Sequence, residues 1–280
     1  MIGAVGDDAF GGALTDSLRS RSVDTKTVSI KAGSSGLAFI TVSESGENTI
    51  VLSAGSNGKL SEADVTRDAL AGTEIALLQN EIPLAVNLHA LKLCAELGIK
   101  VCYNPAPAAK LPAEALPLID TLVVNETEAE VVSGLAVNGL EDAERAARAL
   151  QAEGVGRVIV TLGGKGALAL DRGGDALRVP AFKVEPADTT AAGDTFIGAY
   201  AAATAAGLEL APALRYAASR GGDLRHAARR AELDPCKGGD RAVSARAGVT
   251  PRRAAHWLRP GEAWRNCTKR RSSGAVLPCL

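Results

Sequence analysis

Residues 1–6 form a short apolar run that reads as a strand. Asp7 and Asp8 behind it can cap a helix in which Phe10, Leu14 and Leu18 recur at helical spacing. Two β-rich runs, 36–43 and 48–54, flank Glu44, Ser45, Gly46 and Glu47, a pattern that predicts a hairpin with a Gly-containing loop. Ser61 is placed to cap a helix running through Val65 to Leu70. The apolar run 75–78 then precedes a helical stretch at 83–97, and 99–103 precedes the Pro-rich 104–107. A strand at 121–124, helices at 126–132 and 141–153, and a strand at 158–162 continue the alternation. Repeated βα units of this length predict an α/β fold, a three-layer sandwich with a largely parallel central sheet and helices on both faces.

In such sheets the polar residues just beyond the carboxyl ends of the strands form the natural site, because the following helices point unpaired N–H groups there. Three segments fit: Asn125-Glu126-Thr127-Glu128, Thr161-Leu162-Gly163-Gly164-Lys165-Gly166, and Asp188 to Thr195 at the head of an Ala-rich helix. In the third, small residues let backbone approach a ligand, and the helix N-terminus attracts an anion. Asp194 in the first helical turn can accept a proton from an alcohol while neighbouring amides stabilise a transferred phosphoryl group. The plainer alternative is an ordinary cap, with Asp188 or Asp194 accepting backbone N–H bonds.

The segments Val5-Gly6-Asp7-Asp8-Ala9-Phe10-Gly11, Gly46-Glu47-Asn48-Thr49-Ile50, Gln79-Asn80-Glu81-Ile82-Pro83, Asn104-Pro105-Ala106-Pro107, Asn125 to Glu130, Thr161-Leu162-Gly163 with Gly166, and Asp188 to Phe196 stand in a fixed order along the chain. Together they resemble the motifs of the ribokinase-like sugar kinases, the PfkB family. The resemblance covers residues 1–218 and implies ATP-dependent phosphorylation of a sugar hydroxyl, with ribose the expected sugar and another sugar or a nucleoside the alternative. It implies Asp194 as catalytic base and sugar contact, and Ala191, Ala192 and Gly193 with the Asp194 amide as anion hole. It makes Asn125, Thr161, Gly163 and Gly166 nucleotide-binding, and Glu128 an organiser of Mg2+ through water. Glu81 matches a sugar-contacting position, although a Glu at a strand end is otherwise usually just solvated. Asp188 and Thr190 match ligands of the family's K+ site. Full-length members begin with an earlier strand carrying a sugar-binding Asp, a lid strand pair and a Gly-Gly-Lys-Gly-Ala-Asn type motif. None of these appears in this chain, so an incomplete lid, weak sugar specificity and impaired turnover are expected, and a family-like homodimer becomes doubtful.

Charge is distributed unevenly along the chain. The chain of 280 residues is 46% hydrophobic and 22% charged with a net charge of −1, the profile of a globular protein. That net charge conceals two unlike parts: residues 220–280 hold 14 Lys and Arg against 5 Asp and Glu, whereas residues 1–219 hold 17 against 27. The resemblance stops at Ala218, and 219–280 reads as a basic, non-homologous and disordered tail. Back-translated and read one nucleotide later, Arg229 to Lys237 gives Gly-Ala-Gln-Ser-Ser-Ile-Pro-Ala, close to the family's own C-terminal segment. Out-of-frame translation from near Ser219 is therefore expected. The rival reading is a nucleic-acid-binding extension built on Arg252, Arg253, Lys269, Arg270 and Arg271 with Trp257 and Trp264, but no nucleic-acid motif accompanies them. The apolar run 196–208 is too short to span a membrane, and no leader is visible, so a cytoplasmic protein without membrane or nucleic-acid partners is expected. The five cysteines show no C-x-x-C or zinc spacing and read as buried or free thiols.

Overall fold

A computed structural model describes residues 1–42, 48–181 and 191–227. The chain runs β1 (Ile2–Gly6), α1 (Ala9–Ser20), β2 (Thr27–Lys31), β3 (Leu37–Val42), β4 (Asn48–Ser53), α2 (Arg67–Leu70), β5 (Ile75–Gln79), α3 (Leu84–Leu97) and β6 (Lys100–Asn104). It continues through β7 (Thr121–Asn125), α4 (Glu126–Ser133), α5 (Leu140–Ala152), β8 (Arg157–Thr161), β9 (Ala167–Leu170), β10 (Ala176–Val179), α6 (Ala192–Ala205) and α7 (Leu210–Ala227). Among the described residues the main sheet has six strands in the order β10-β9-β8-β7-β6-β5; β5 to β8 and β10 run in one direction, and β9 runs antiparallel between β8 and β10. β1 and β2 form a separate parallel pair, and β3 and β4 an antiparallel hairpin whose connecting residues lie outside the described part.

The pleat sorts the sheet's side chains into two cores. On β7, Leu122 and Val124 enter one core and Val123 the other; on β8, Val158 and Val160 oppose Ile159; on β9, Leu168 and Leu170 oppose Ala167 and Ala169. The first core is closed by α3, α4 and α5 through Leu91, Ala129, Ala146 and Leu150, the second by α6 and α7 through Phe196, Tyr200, Leu214 and Ala217. This is the expected three-layer α/β sandwich with a largely parallel sheet.

Several local expectations give way. The helix read from Ser61 to Leu70 is broken: Ser61 caps one turn of 3-10 helix at Glu62–Asp64, Val65 is extended, and Thr66 caps α2 by accepting from the Ala69 amide. The stripe of α1 does not enter a core, since Phe10 is 56% exposed and Gly11 is the buried residue of that helix. Strands β2, β9 and β10 have no counterpart in the sequence reading. The Ala-Leu-Ala-Leu of β9 carries helix-favouring residues that pairing and burial on both faces override. Helix α7 continues past Ala218, with Ser219 and Gly221 buried, to Ala227. Cys94 and Cys102 are buried and free, and burial pushes their thiols up to about 11 and about 12. Among the described residues no helix is long and apolar enough to cross a membrane.

Candidate active site

Four parallel strands end side by side in polar residues: Gln79 on β5, Asn104 on β6, Asn125 on β7 and Thr161 on β8. The register aligns Gln79 with Asn104 and Asn125 with Thr161. The N-terminus of α6 arrives over this edge. It begins after Ala191, a non-glycine residue at φ 58°, which turns the chain so that the Ala192, Gly193 and Asp194 amides start the helix without intrahelical partners. From the second core, Arg157 fastens α6 to the sheet by donating from Nη1 to the Tyr200 hydroxyl at 2.7 Å and from Nη2 to Asp171 Oδ2 at 2.7 Å.

Asn125 and Glu128 form a capping box at the start of α4. Asn125 Oδ1 accepts from the Glu128 amide at 2.8 Å. The Glu128 carboxylate accepts from the Asn125 amide at 3.0 Å, from Asn125 Nδ2 at 2.9 Å and from Asn104 Nδ2 at 2.9 Å. Burial drives the Glu128 carboxyl above its ordinary range; the donors from Asn125 and Asn104 work against this and the charge of Asp194 works with it. Asp194 Oδ1 accepts from Gln79 Nε2 at 3.0 Å. A cleft of about 130 Å³ is lined by Asn104, Asn125, Glu128, Thr161, Gly193 and Asp194, with Ala106, Val123, Val124 and Ile197 as its less polar walls.

The structure thus brings together Asn125, Glu128, Thr161, Gly193 and Asp194. Gly163 and Gly166, with φ of 52° and 99°, shape the turn after Thr161, closed by the Leu162 amide on the Gly166 carbonyl at 2.8 Å, but neither lines the cleft. Glu81 sits in the turn after β5, also away from the lining. That turn is held from below: the Tyr103 hydroxyl donates to Asn80 Oδ1 at 2.7 Å, Asn80 Nδ2 to the Pro107 carbonyl at 2.9 Å, and Asn87 Nδ2 to the Gln79 carbonyl at 2.7 Å. Asp188 and Thr190 lie outside the described residues. Gln79 and Asn104 join the site without having been assigned a role from sequence, although each is a polar residue closing an apolar strand.

A buried carboxylate, a second carboxylate in the first turn of a helix and the N-terminal amides of that helix around one cleft form an arrangement able to receive a phosphoryl group beside a proton acceptor. Comparison with known proteins agrees. Residues 1–222 match the family described as pfkB family carbohydrate kinase. Ribokinase of Haemophilus influenzae is 37% identical over 206 residues, which cover 72% of this chain and 67% of that protein. A deoxyribokinase of Salmonella typhi is 38% identical over 205 residues, 72% of this chain and 67% of that protein. The structure of Arabidopsis thaliana ribokinase complexed with ribose and ATP superposes with a TM-score of 0.78 at 27% identity, covering 89% of this chain and 81% of that one. On this fold, this strand-end site and these matches, the chain belongs to the pfkB family of carbohydrate kinases.

Proposed function

We propose that this chain transfers the γ-phosphoryl group of ATP to a hydroxyl of ribose, giving a ribose phosphate and ADP. The observation that carries this reading is the meeting of Asp194, Glu128, Asn125 and the α6 N-terminus in one cleft. Asp194 takes the proton of the attacking hydroxyl as the new O–P bond forms and the bond to the β-phosphate breaks. The amides following Ala191, those of Ala192, Gly193 and Asp194, face the charge on the transferred group. Thr161, with Gly163 and Gly166 shaping the turn behind it, and Asn125 hold the nucleotide; Glu81 contacts the sugar.

Among the described residues no three His, Cys, Asp or Glu side chains converge to hold a metal. The two carboxylates that do line the cleft, Glu128 and Asp194, are a donor set that fits Mg2+, which takes one or two carboxylates and completes its shell with water and phosphate oxygens. Glu128 is the residue that would organise it, through water; when bound, the ion neutralises phosphate charge. Asp188 and Thr190 complete the reading as ligands of K+. A cytoplasmic location belongs to the same proposal, as does a kinase body followed by a basic segment translated out of frame from near Ser219, although α7 itself runs on to Ala227. The relative named a deoxyribokinase makes 2-deoxyribose the second substrate to try.

A coupled ADP-release assay with ribose, deoxyribose, fructose and adenosine, with and without K+, tests the proposal. ADP release on ribose, slowed about 10²- to 10⁴-fold in Asp194→Asn, is the expected result. ATP binding with no turnover on any acceptor, or turnover indifferent to Asp194→Asn, would overturn it in favour of a nucleotide-binding protein.

A further inference from the structure

Asn104 and Gln79 form a directional chain of amides between the two carboxylates of the cleft. The Val123 carbonyl can only accept, and Asn104 Nδ2 lies 2.9 Å from it and 2.9 Å from Glu128 Oε2. Both amide protons of Asn104 are thereby used, so its Oδ1 faces the other way, 3.3 Å from Gln79 Nε2. That fixes Gln79 Nε2 as the nitrogen, and its other proton is directed at Asp194 Oδ1, 3.0 Å away. One main-chain carbonyl on β7 thus sets the orientation of two side-chain amides, and the last of them requires Asp194 to be an acceptor. The Gln79 to Asp194 bond also joins residues separated by 115 positions in sequence, linking β5 to the head of α6.

We propose that Gln79 is a positioning residue for phosphoryl transfer, holding Asp194 by Oδ1 so that Oδ2 is the oxygen left for the hydroxyl proton, and that Asn104 ties this hold to Glu128. The inference deepens the kinase reading above and rests on it. Placing amide N–H groups toward both carboxylates also lets two negative groups share one cleft. Burial pushes the Glu128 carboxyl above its ordinary range, and the charge of Asp194 acts in the same direction.

Two substitutions separate positioning from packing. Gln79→Met keeps length and volume but has no donor, whereas Gln79→Glu keeps the shape and presents an acceptor to Asp194 and Asn104. With ribose and ATP, Gln79→Met is expected to lower kcat about 10- to 100-fold, the range for a hydrogen bond to a charged group, with both KM values changed less than about threefold. Gln79→Glu is expected to move the acid limb of the kcat profile to higher pH, because adjacent carboxylates share a proton. A lowered Tm with kcat per folded molecule and the pH profile unchanged would reduce Gln79 to a packing role and overturn the inference. A measurement independent of turnover follows the Gln79 side-chain amide resonances in 15N-labelled full chain: Asp194→Asn should shift them, and unmoved resonances would equally overturn it. If the unsubstituted chain turns over no sugar, the kinase reading fails, while these resonances still show whether Gln79 holds Asp194.

Discussion

Glu128 concentrates the energetic conflict of the site in one side chain. Its carboxyl is buried, which favours the protonated form; three donors from Asn125 and Asn104 favour the ionised form, and the Asp194 charge again favours protonation. The net direction is upward from the ordinary 4.5, so the folded chain keeps this proton to a higher pH than the unfolded chain does. By linkage, the stability Glu128 contributes is fully present below pH 4.5 and is lost as the pH rises through its folded pKa. Carboxyls held low elsewhere, such as Asp64 beside Lys31, slope the other way: burial raises Asp64, but Lys31 and Ser61 together bring it below its ordinary value. The Glu128 contribution is therefore isolated as a difference. Urea unfolding of the unsubstituted chain and of Glu128→Gln from pH 4 to 7.5 should show the unsubstituted chain losing stability relative to the variant as pH rises. A difference that is flat, or that slopes the other way, would contradict this assignment.

Between elements, the contact of α1 with β1 shows why the opening motif contains its glycines. A Cβ on Gly11 would lie 2.1 Å from the Gly6 carbonyl oxygen, and a Cβ on Gly6 would lie 2.2 Å from the Gly33 carbonyl, so backbone meets backbone at both positions. Gly12, the next residue on α1, would meet nothing within 4 Å. Gly11→Ala should destabilise the chain by about 1–3 kcal/mol through forced backbone shifts, while Gly12→Ala should stabilise it by about 0.5–1 kcal/mol on helix propensity. Denaturant melts of the two variants check this, and equal effects would remove the close-approach explanation. This scale also shows what the sequence could disclose. Runs such as Thr121–Asn125 followed by Glu126–Ser133 were legible because an apolar strand, a capping Asn and a Glu three residues on are all local signals. The broken helix after Ser61 was not, because Val65 and Thr66 carry weak local preferences that neighbouring packing decides. Within the site, Asp194 and Glu128 announced themselves at helix starts, whereas the role of Gln79 and Asn104 depends on which strands lie side by side and on a helix that arrives over a hundred residues later.

At the level of the whole molecule, the near-zero net charge describes neither part of the chain, and the described residues owe their cohesion to one sheet shared by two cores. Strands β5 to β9 place alternate residues in each, so neither face can lose its packing without stripping the backs of the same strands. Leu150 on α5 and Leu214 on α7 are both fully buried, one in each core. Replacing either by Ala should cost about 2–5 kcal/mol. Because the sheet couples the faces, each substitution should lower the stability of both cores together. Tyr103 lies in the first core and Tyr200 in the second, so 3-fluorotyrosine labelling supplies a resonance for each side of the sheet. In the unsubstituted chain, in Leu150→Ala and in Leu214→Ala, the native Tyr103 and Tyr200 signals should disappear at a common denaturant concentration that shifts downward in both variants. If Leu214→Ala released Tyr200 well before Tyr103, the layer formed by α6 and α7 would be a separate cooperative unit. The head of α6, and Asp194 with it, would then be able to leave the strand ends while the remaining sandwich stayed folded.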